Sequence, residues 1–336
     1  MEIAFSHVYC KQAKQMSKIQ IENNAVNQRI RFNPLIVGSN VRDWFLLLKP
    51  RVISLVVFTG IVGIILAPGY ANPFISLISI ICICLASGGA GAINMWYDQD
   101  IDRVMNRTIT RPLPSGRVQS SDALIYGVTV SIISVILMFL ATNFFASFIL
   151  AFSIFYYSVI YTVWLKRSTP QNIVIGGAAG AFPPLIGWIS VTGQIQLFPI
   201  ILFLIVFFWT PPHFWSLSLY ACKDYGRAGI PMLPVVKGAR HTRWQIFIYT
   251  ILLAIVSLLP VYFHFTHSVY MVTALILNVG FMFMAICVLL EKQDHSGKSL
   301  RSDKAARWSF RFSLIYLFFL FLALIIDHYI YDLWGV

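Results

Sequence analysis

NMWYDQDIDRVMNRTITRPLPSGR, residues 94–117, is the densest polar run in an otherwise apolar chain. It starts where a long apolar segment ends and runs into a basic loop. Read as a helix, it sets Asn94, Asp98 and Asp102 at i, i+4 and i+8. Each four-residue step overshoots a full turn by about 40°, so the three side chains share one face over roughly 12 Å. Asp100 points to nearly the opposite side. Asp98 and Asp102 are like charges one turn apart, at a cost on the order of a few tenths of a kcal/mol. A cation removes that cost, either a divalent metal or one of Arg103, Arg107 and Arg111. Oxygen ligands without Cys or His suit Mg²⁺ rather than zinc, and Mg²⁺ completes its shell with water and phosphate oxygens. Arg107, Arg111 and Arg117 follow closely, and guanidinium forks fit phosphate. The pattern points to a diphosphate held through metal at a membrane surface. The plainer reading is a charged cap where a membrane helix meets water.

Working outward, the 336-residue chain is 58% hydrophobic and only 11% charged, with a mean hydropathy of +0.75. Soluble domains carry about 25% charged residues. The fold class expected is all-α, a polytopic membrane protein. Nine apolar segments approach the length that spans a bilayer: 46–66, 73–95, 123–142, 146–164, 173–191, 197–217, 245–264, 269–290 and 308–326. They would form one bundle around a central cavity open to the cytoplasmic side, over residues 43–336. Residues 1–42 read as a polar, largely disordered tail with no signal-peptide run.

The formal charge of +12 would suggest nucleic acid in a soluble protein. Here its distribution argues instead for topology, and no nucleic-acid partner is expected. All 25 Lys and Arg fall in the tail, at the edge of the first span, in the second, fourth, sixth and eighth loops, or, for Arg311, at the start of the ninth span. The positive-inside rule then sets the N-terminus inside and the C-terminus outside. With no convincing transit peptide, the expected location is the bacterial inner (plasma) membrane rather than the mitochondrial inner membrane.

Further polar centres lie on the basic side. Loop six, YACKDYGRAGIPMLPVVKG (residues 220–238), has Asp224 as its only acid, with Lys223, Arg227 and Lys237 around it. Asp224 is a second metal ligand or an ion pair with Arg227 at i+3. Gly229, Pro231 and Pro234 stop a helix there. In YTVWLKRSTPQN, Lys166 and Arg167 grip phosphate or fix topology, and Tyr161 precedes them. Asn172 is a helix cap or a polar contact in a pocket. The run SGGAGAIN (residues 87–94) reads as close helix packing rather than a phosphate cradle, for no P-loop pattern is present. GGAAGAFPPLIGW (residues 176–188) allows close packing and a bend at Pro183–Pro184. His213, in TPPHFW, is a site candidate because a histidine in a membrane helix is costly, or else a hydrogen-bonded structural residue. On the other side, His264 and His267 are three apart, which suits a metal, a porphyrin iron or an ordinary loop pair. The five cysteines form no CxxC pair, so neither a disulfide framework nor a zinc site is expected.

NMWYDQDID with RTITRPLP, LKRST with NIVIGG, WTPPHFW, and Asp224–Tyr225 with AGIPMLP occur in this order over most of residues 45–330. Together they resemble the motifs of the intramembrane aromatic prenyltransferases, and within them the branch that farnesylates protoheme. Met95 stands where the wider superfamily begins Asn-Asp, and Ala228 closes what is usually Asp-x-x-x-Asp.

The resemblance implies a Mg²⁺-dependent transfer from farnesyl diphosphate to a vinyl group of protoheme IX. Asn94, Asp98, Asp102 and Asp224 would be the catalytic metal ligands. Arg107, Arg111, Lys166, Arg167 and Lys223 would neutralise the leaving group, and His213 would touch heme. Tyr161, Asn172 and Arg227 complete the candidate substrate-binding set. Heme is then a substrate, and Mg²⁺ the one cofactor. The lipid bilayer and a downstream heme-modifying membrane enzyme are the other partners expected. A quinone-type acceptor is the alternative substrate. A secondary transporter is the non-enzyme alternative, although the acids sit at span ends rather than at the bilayer midplane where transporters bind.

Overall fold

In lipid no water is at hand for a free backbone N–H or C=O, so a crossing segment must close its own hydrogen bonds. The computed structural model describes residues 39–69, 71–294 and 299–334. The expected tail lies outside these residues, save for its end at 39–42. Among the described residues the only β-pairing is one isolated bridge, Gln293 to Ser299.

The helices are α1 (Val41–Leu47), α2 (Pro50–Ile65), α3 (Pro73–Tyr97), α4 (Gln99–Val104), α5 (Ser120–Ala141) and α6 (Phe144–Phe155). A π-helical stretch, Tyr156–Leu165, continues α6. Then come α7 (Asn172–Thr192), α8 (Leu197–Tyr220), α9 (Cys222–Arg227), α10 (Leu233–Val236), α11 (Gly238–Ser257), α12 (Leu259–Tyr262), α13 (Ser268–Leu289) and α14 (Lys304–Trp334). Eight helices among the described residues are long and apolar enough to cross a membrane, counting α6 with its continuation and α11 with α12. The pair α1–α2, bent by 52°, passes the same test as one broken span and would make nine. The bend sits at Lys49–Pro50. A residue before proline is kept out of right-handed helix, and Lys49 takes the left-handed conformation instead, with φ 55°.

Large apolar side chains point outward along the bundle: Leu140 is 73% exposed and Val279 70%. Such surface is matched by lipid tails, not by water. Inside, small residues bring backbones together, as lipid-embedded helices require. A Cβ at Gly89 on α3 would lie 2.8 Å from the Gly127 carbonyl oxygen on α5. One at Gly63 on α2 would overlap the Pro184 carbonyl on α7, and one at Gly187 the Gly60 carbonyl. α7 runs as one helix through Pro183 and Pro184, and the close packing expected of this stretch is realised in these backbone contacts.

Polar contacts gather the basic loops at one end. Arg117 donates to Asp43 at 2.8 Å, tying the second loop to α1. Lys166 pairs with Asp98, and Asn106 donates to Asp224 at 3.4 Å. Arg243 pairs with Asp303 at 2.9 Å, joining the sixth and eighth loops. Beneath them Ile101 and Met105 pack in one apolar cluster with Trp215, Tyr225, Ile230 and Leu233. That cluster holds α4 beside α9 and α10, and so sets the two polar loops next to each other.

Candidate active site

The helix axis breaks at Asp98, where φ is −92° and ψ 11°. The hydrogen-bond ladder nevertheless continues: Asp98 N–H donates to Asn94 O at 3.0 Å and Asp102 N–H to Asp98 O at 2.8 Å. Asn94, Asp98 and Asp102 thus keep their common face across the junction, and they are 4%, 1% and 3% exposed. Carboxylates buried this deeply require partners. Lys166 supplies one to Asp98 Oδ2, and Asn94 Nδ2 donates to the same oxygen at 2.8 Å. Arg111 Nη1 donates to Asp102 Oδ2 at 2.7 Å. Asp98 Oδ1 has no hydrogen-bond partner, and the nearest guanidinium nitrogen recorded, on Arg167, is 3.7 Å away.

Two contributors escaped the sequence reading. Lys49 Nζ donates to Asn94 Oδ1 at 2.7 Å. Its methylenes cross Gly91, where an added Cβ would lie 3.4 Å from Lys49 Cδ. Gly91 shares the Asn94 face, so a small residue there leaves the lysine its path. The available signal was a Lys-Pro pair inside the first apolar span. Thr162 is the other: its hydroxyl accepts from Asn94 Nδ2 at 3.0 Å and donates to Tyr157 O at 2.7 Å. The latter spans five residues, as in a π-helix, an irregularity frequent at functional sites. Hydropathy carries no trace of it.

The remaining candidates divide. Asn172 is fully buried, donates to the Lys166 carbonyl at 3.1 Å and keeps its own Oδ1 without a partner. It therefore braces the turn that presents Lys166. Tyr161 stacks on Tyr157, with centroids 5.5 Å apart, and packs on Gly176. Asp224 is paired with Arg227 at i+3, and its contact to Asn106 is the link to the first motif. Among the described residues no three of His, Cys, Asp and Glu converge on one point, so Asp98, Asp102 and Asp224 do not form a compact triad. Arg107 and Lys223 are exposed beside these loops. Arg117 is held by Asp43 and by the Thr110 carbonyl at 3.0 Å. His213 is buried, stacked between Trp209 and Phe310, with Nδ1 2.6 Å from Ser313 Oγ. Its partners lie on α8 and α14, apart from the aspartate face.

Asp100, on the far side of α4, receives both Arg167 Nη groups at 2.8 Å. Burial pushes its carboxyl up, yet the guanidinium and the α4 backbone N–H groups together hold it below its ordinary range. Arg167 also lies over the Tyr97 ring at 4.7 Å and donates to the Tyr97 carbonyl at 2.9 Å. This clasp fixes the chain direction where Asp98 leaves α3. The arrangement is an acidic face ringed by Lys49, Lys166, Arg111 and Arg167, at the end of an apolar bundle.

The fold and this face define an intramembrane prenyltransferase. The chain belongs to the UbiA prenyltransferase family, whose model matches residues 56–315. It is 62% identical over 300 residues to the protoheme IX farnesyltransferase of Gluconacetobacter diazotrophicus, covering 89% of this chain and 95% of that one. The protoheme IX farnesyltransferase of Gluconobacter oxydans is also 62% identical, over 86% of this chain and 91% of its own. Among solved structures, a UbiA homolog from Archaeoglobus fulgidus bound to DMAPP and Mg²⁺ superposes with a TM-score of 0.61 at 15% identity, covering 84% of this chain and 99% of that one. The chain is therefore an enzyme of the prenyltransferase class, and the transporter alternative falls away.

Proposed function

We propose that this chain transfers the farnesyl group of farnesyl diphosphate to a vinyl group of protoheme IX, releasing diphosphate and giving heme O, a step of heme A/O biosynthesis for terminal oxidases. The observation that carries this is the buried Asn94–Asp98–Asp102 face ringed by basic side chains. High identity to proteins named protoheme IX farnesyltransferase supports heme as acceptor. The cytoplasmic face of a bacterial inner membrane is the location in this reading, with the basic loops inside and residues 43–336 as the catalytic domain.

The donors suit Mg²⁺, since all are hard oxygens and Asp98 Oδ1 is a buried acceptor lacking a hydrogen bond. Asn94, Asp98 and Asp102 would hold it; Asp224, on the neighbouring loop and outside that compact face, would join only by leaving Arg227. Bound there, Mg²⁺ supplies Lewis-acid stabilisation of the diphosphate. Lys166, Arg111 and Lys49 exchange carboxylate or amide oxygens for phosphate oxygens, and Arg107, Arg167 and Lys223 add charge at the rim. These cations stabilise the negative charge that develops as the allylic C–O bond breaks. The vinyl carbon of heme then takes the farnesyl cation, and water adds to the resulting carbocation with loss of a proton, leaving a hydroxyethylfarnesyl chain. Apolar helix walls keep stray water from the cation before capture. Tyr161 and Asn172 shape the phosphate side, and His213 contacts the porphyrin. Incubating purified protein with heme, isotope-labelled farnesyl diphosphate and Mg²⁺ tests the proposal by the mass of the labelled heme. Label transferred to a quinone-type phenol but not to heme would replace the acceptor.

A further inference from the structure

A cavity lies at the other end of the bundle from the aspartate face. Asn172, beside Lys166, opens α7, and Trp188 is sixteen residues further along, which is about 24 Å of helix. Trp188 lines a cavity of about 590 Å³ between the α7–α8 turn, the α12–α13 loop and the end of α14. This is within the usual range for a small-molecule site, roughly 300–1,000 Å³. No function has been given to it above.

The cavity is built rather than merely left over. Trp188 and Thr266 are 5% and 7% exposed, both line it, and Trp188 Nε1 and Thr266 Oγ1 have no hydrogen-bond partner. A buried donor left unpaired is costly, and a ligand oxygen that reached it would remove that cost. Its aromatic wall is ordered: Phe198 stacks on Phe265 with centroids 4.8 Å apart and meets Trp188 edge-on at 5.7 Å. His264, also lining the cavity, is held at φ 58°, a left-handed backbone that strains a non-glycine residue. His264 is exposed where it lines the cavity. Asp327 is already engaged, accepting from the His267 and Tyr270 backbone N–H groups at 2.6 and 3.0 Å.

These features select the ligand. A bare metal ion is a poor match, because no three ligating groups converge among the described residues. An iron porphyrin brings four nitrogens of its own and needs one axial imidazole. It is flat and suits an aromatic wall, and its carboxylate oxygens accept from an indole N–H and a hydroxyl. We infer that this cavity is a second, non-catalytic docking site for an iron porphyrin, with His264 as axial ligand and Trp188 and Thr266 as donors to a propionate. The inference rests on the cavity and is independent of the transfer reading at the aspartate face.

The test uses the full chain in phospholipid nanodiscs, titrated with hemin and followed by the Soret band. Wild type should show a histidine-ligated component that survives both Asp98→Ala and His213→Ala, which separates it from the transfer site. His264→Ala should abolish that component. Trp188→Phe, which removes only the N–H, should weaken hemin binding about five- to tenfold. Iron-free protoporphyrin should bind more weakly and be indifferent to His264. The inference is overturned if His264→Ala and Trp188→Phe both match wild type, or if the component disappears with His213→Ala. It is equally overturned if phospholipid or a quinone, and not hemin, proves to be what Trp188→Phe releases.

Discussion

Lys166 and Asp98, 68 residues apart in the chain, form a buried ion pair that engages only one carboxylate oxygen. Oδ2 takes the ammonium and the Asn94 amide, while Oδ1 has no hydrogen bond. A carboxylate 1% exposed with one unsatisfied oxygen is costly unless a further ligand completes it. The oxygen and its basic neighbours are what a metal-diphosphate pair needs.

Asp98→Asn tests this directly. The amide preserves shape and can still accept from Lys166, but it removes the charge. Turnover should fall about 10²- to 10³-fold, in the range seen when one electrostatic contributor to a transition state is lost. Labelled farnesyl transfer measures it, with size-exclusion behaviour showing that the protein is still folded. Unchanged turnover would remove Asp98 from the machinery.

Arg111 and Asp102 make a prediction about stability. The carboxylate is 4% exposed and the guanidinium 27%, so the pair is only partly screened. Arg111→Ala leaves the acid buried beside the Thr108–Asp102 turn without its cation, at a cost of about 1–3 kcal/mol. Adding Asp102→Asn should recover most of the lost thermal midpoint in detergent. It should not recover turnover, because both oxygens and cation belong to the proposed site.

Glycine contacts predict a contrast between neighbours. Gly63→Ala drives a methyl group into the Pro184 carbonyl, and backbone against backbone has no easy retreat. Overpacking of this kind costs about 1–3 kcal/mol. Gly180→Ala, on α7 itself, meets nothing within 4 Å and should be neutral or slightly stabilising. Thermal midpoints of the two variants, side by side, check the close α2–α7 approach.

The spans were legible because lipid imposes length and apolarity on every crossing, and the boundaries fall close to those read from hydropathy: 197–217 became Leu197–Tyr220, and 269–290 became Ser268–Leu289. The Asn94–Asp98–Asp102 face was legible from spacing, since the ladder holds across the break at Asp98. Hydropathy is blind to the 52° bend at Lys49–Pro50, because the two arms together pass as one apolar span. The role of Lys49 depends on that bend, so it too was hidden. Thr162 was hidden for a different reason: its position follows from a π-helical turn that shifts register by one residue. Asp224 reads from the sequence as a metal ligand or an ion pair; it pairs with Arg227 here, and its metal role belongs to the proposal.

Asp100 and Arg167 predict a pH dependence. Asp100 titrates below its ordinary range in the folded chain, so the unfolded chain binds its proton more readily. The clasp therefore contributes stability above the ordinary carboxylate range, and loses it as pH falls through the folded value. The carboxylate side chain is 62% exposed, so the contribution is modest. The difference in thermal midpoint between wild type and Asp100→Asn should be present at neutral pH and vanish in acid. A difference that grows on acidification would contradict the assignment.

Metal removal gives the last prediction. If the aspartate face grips diphosphate through Mg²⁺, chelation with EDTA should abolish farnesyl transfer, and Mg²⁺ should restore it. Zn²⁺ should restore it poorly, because the donors are carboxylate and amide oxygens with no thiolate or imidazole among them. Farnesyl diphosphate should also raise the thermal midpoint of the wild type only when Mg²⁺ is present, by mass action on the folded state. The same addition should leave Asp98→Asn nearly unmoved, since the charge that draws the pair in has gone. Lys166→Ala should separate metal from phosphate: it frees Asp98 Oδ2 for the ion but removes a cation from the diphosphate. Its shift with farnesyl diphosphate should therefore be smaller than that of wild type yet still depend on Mg²⁺. A full, metal-independent shift in both variants would place diphosphate binding elsewhere in the bundle.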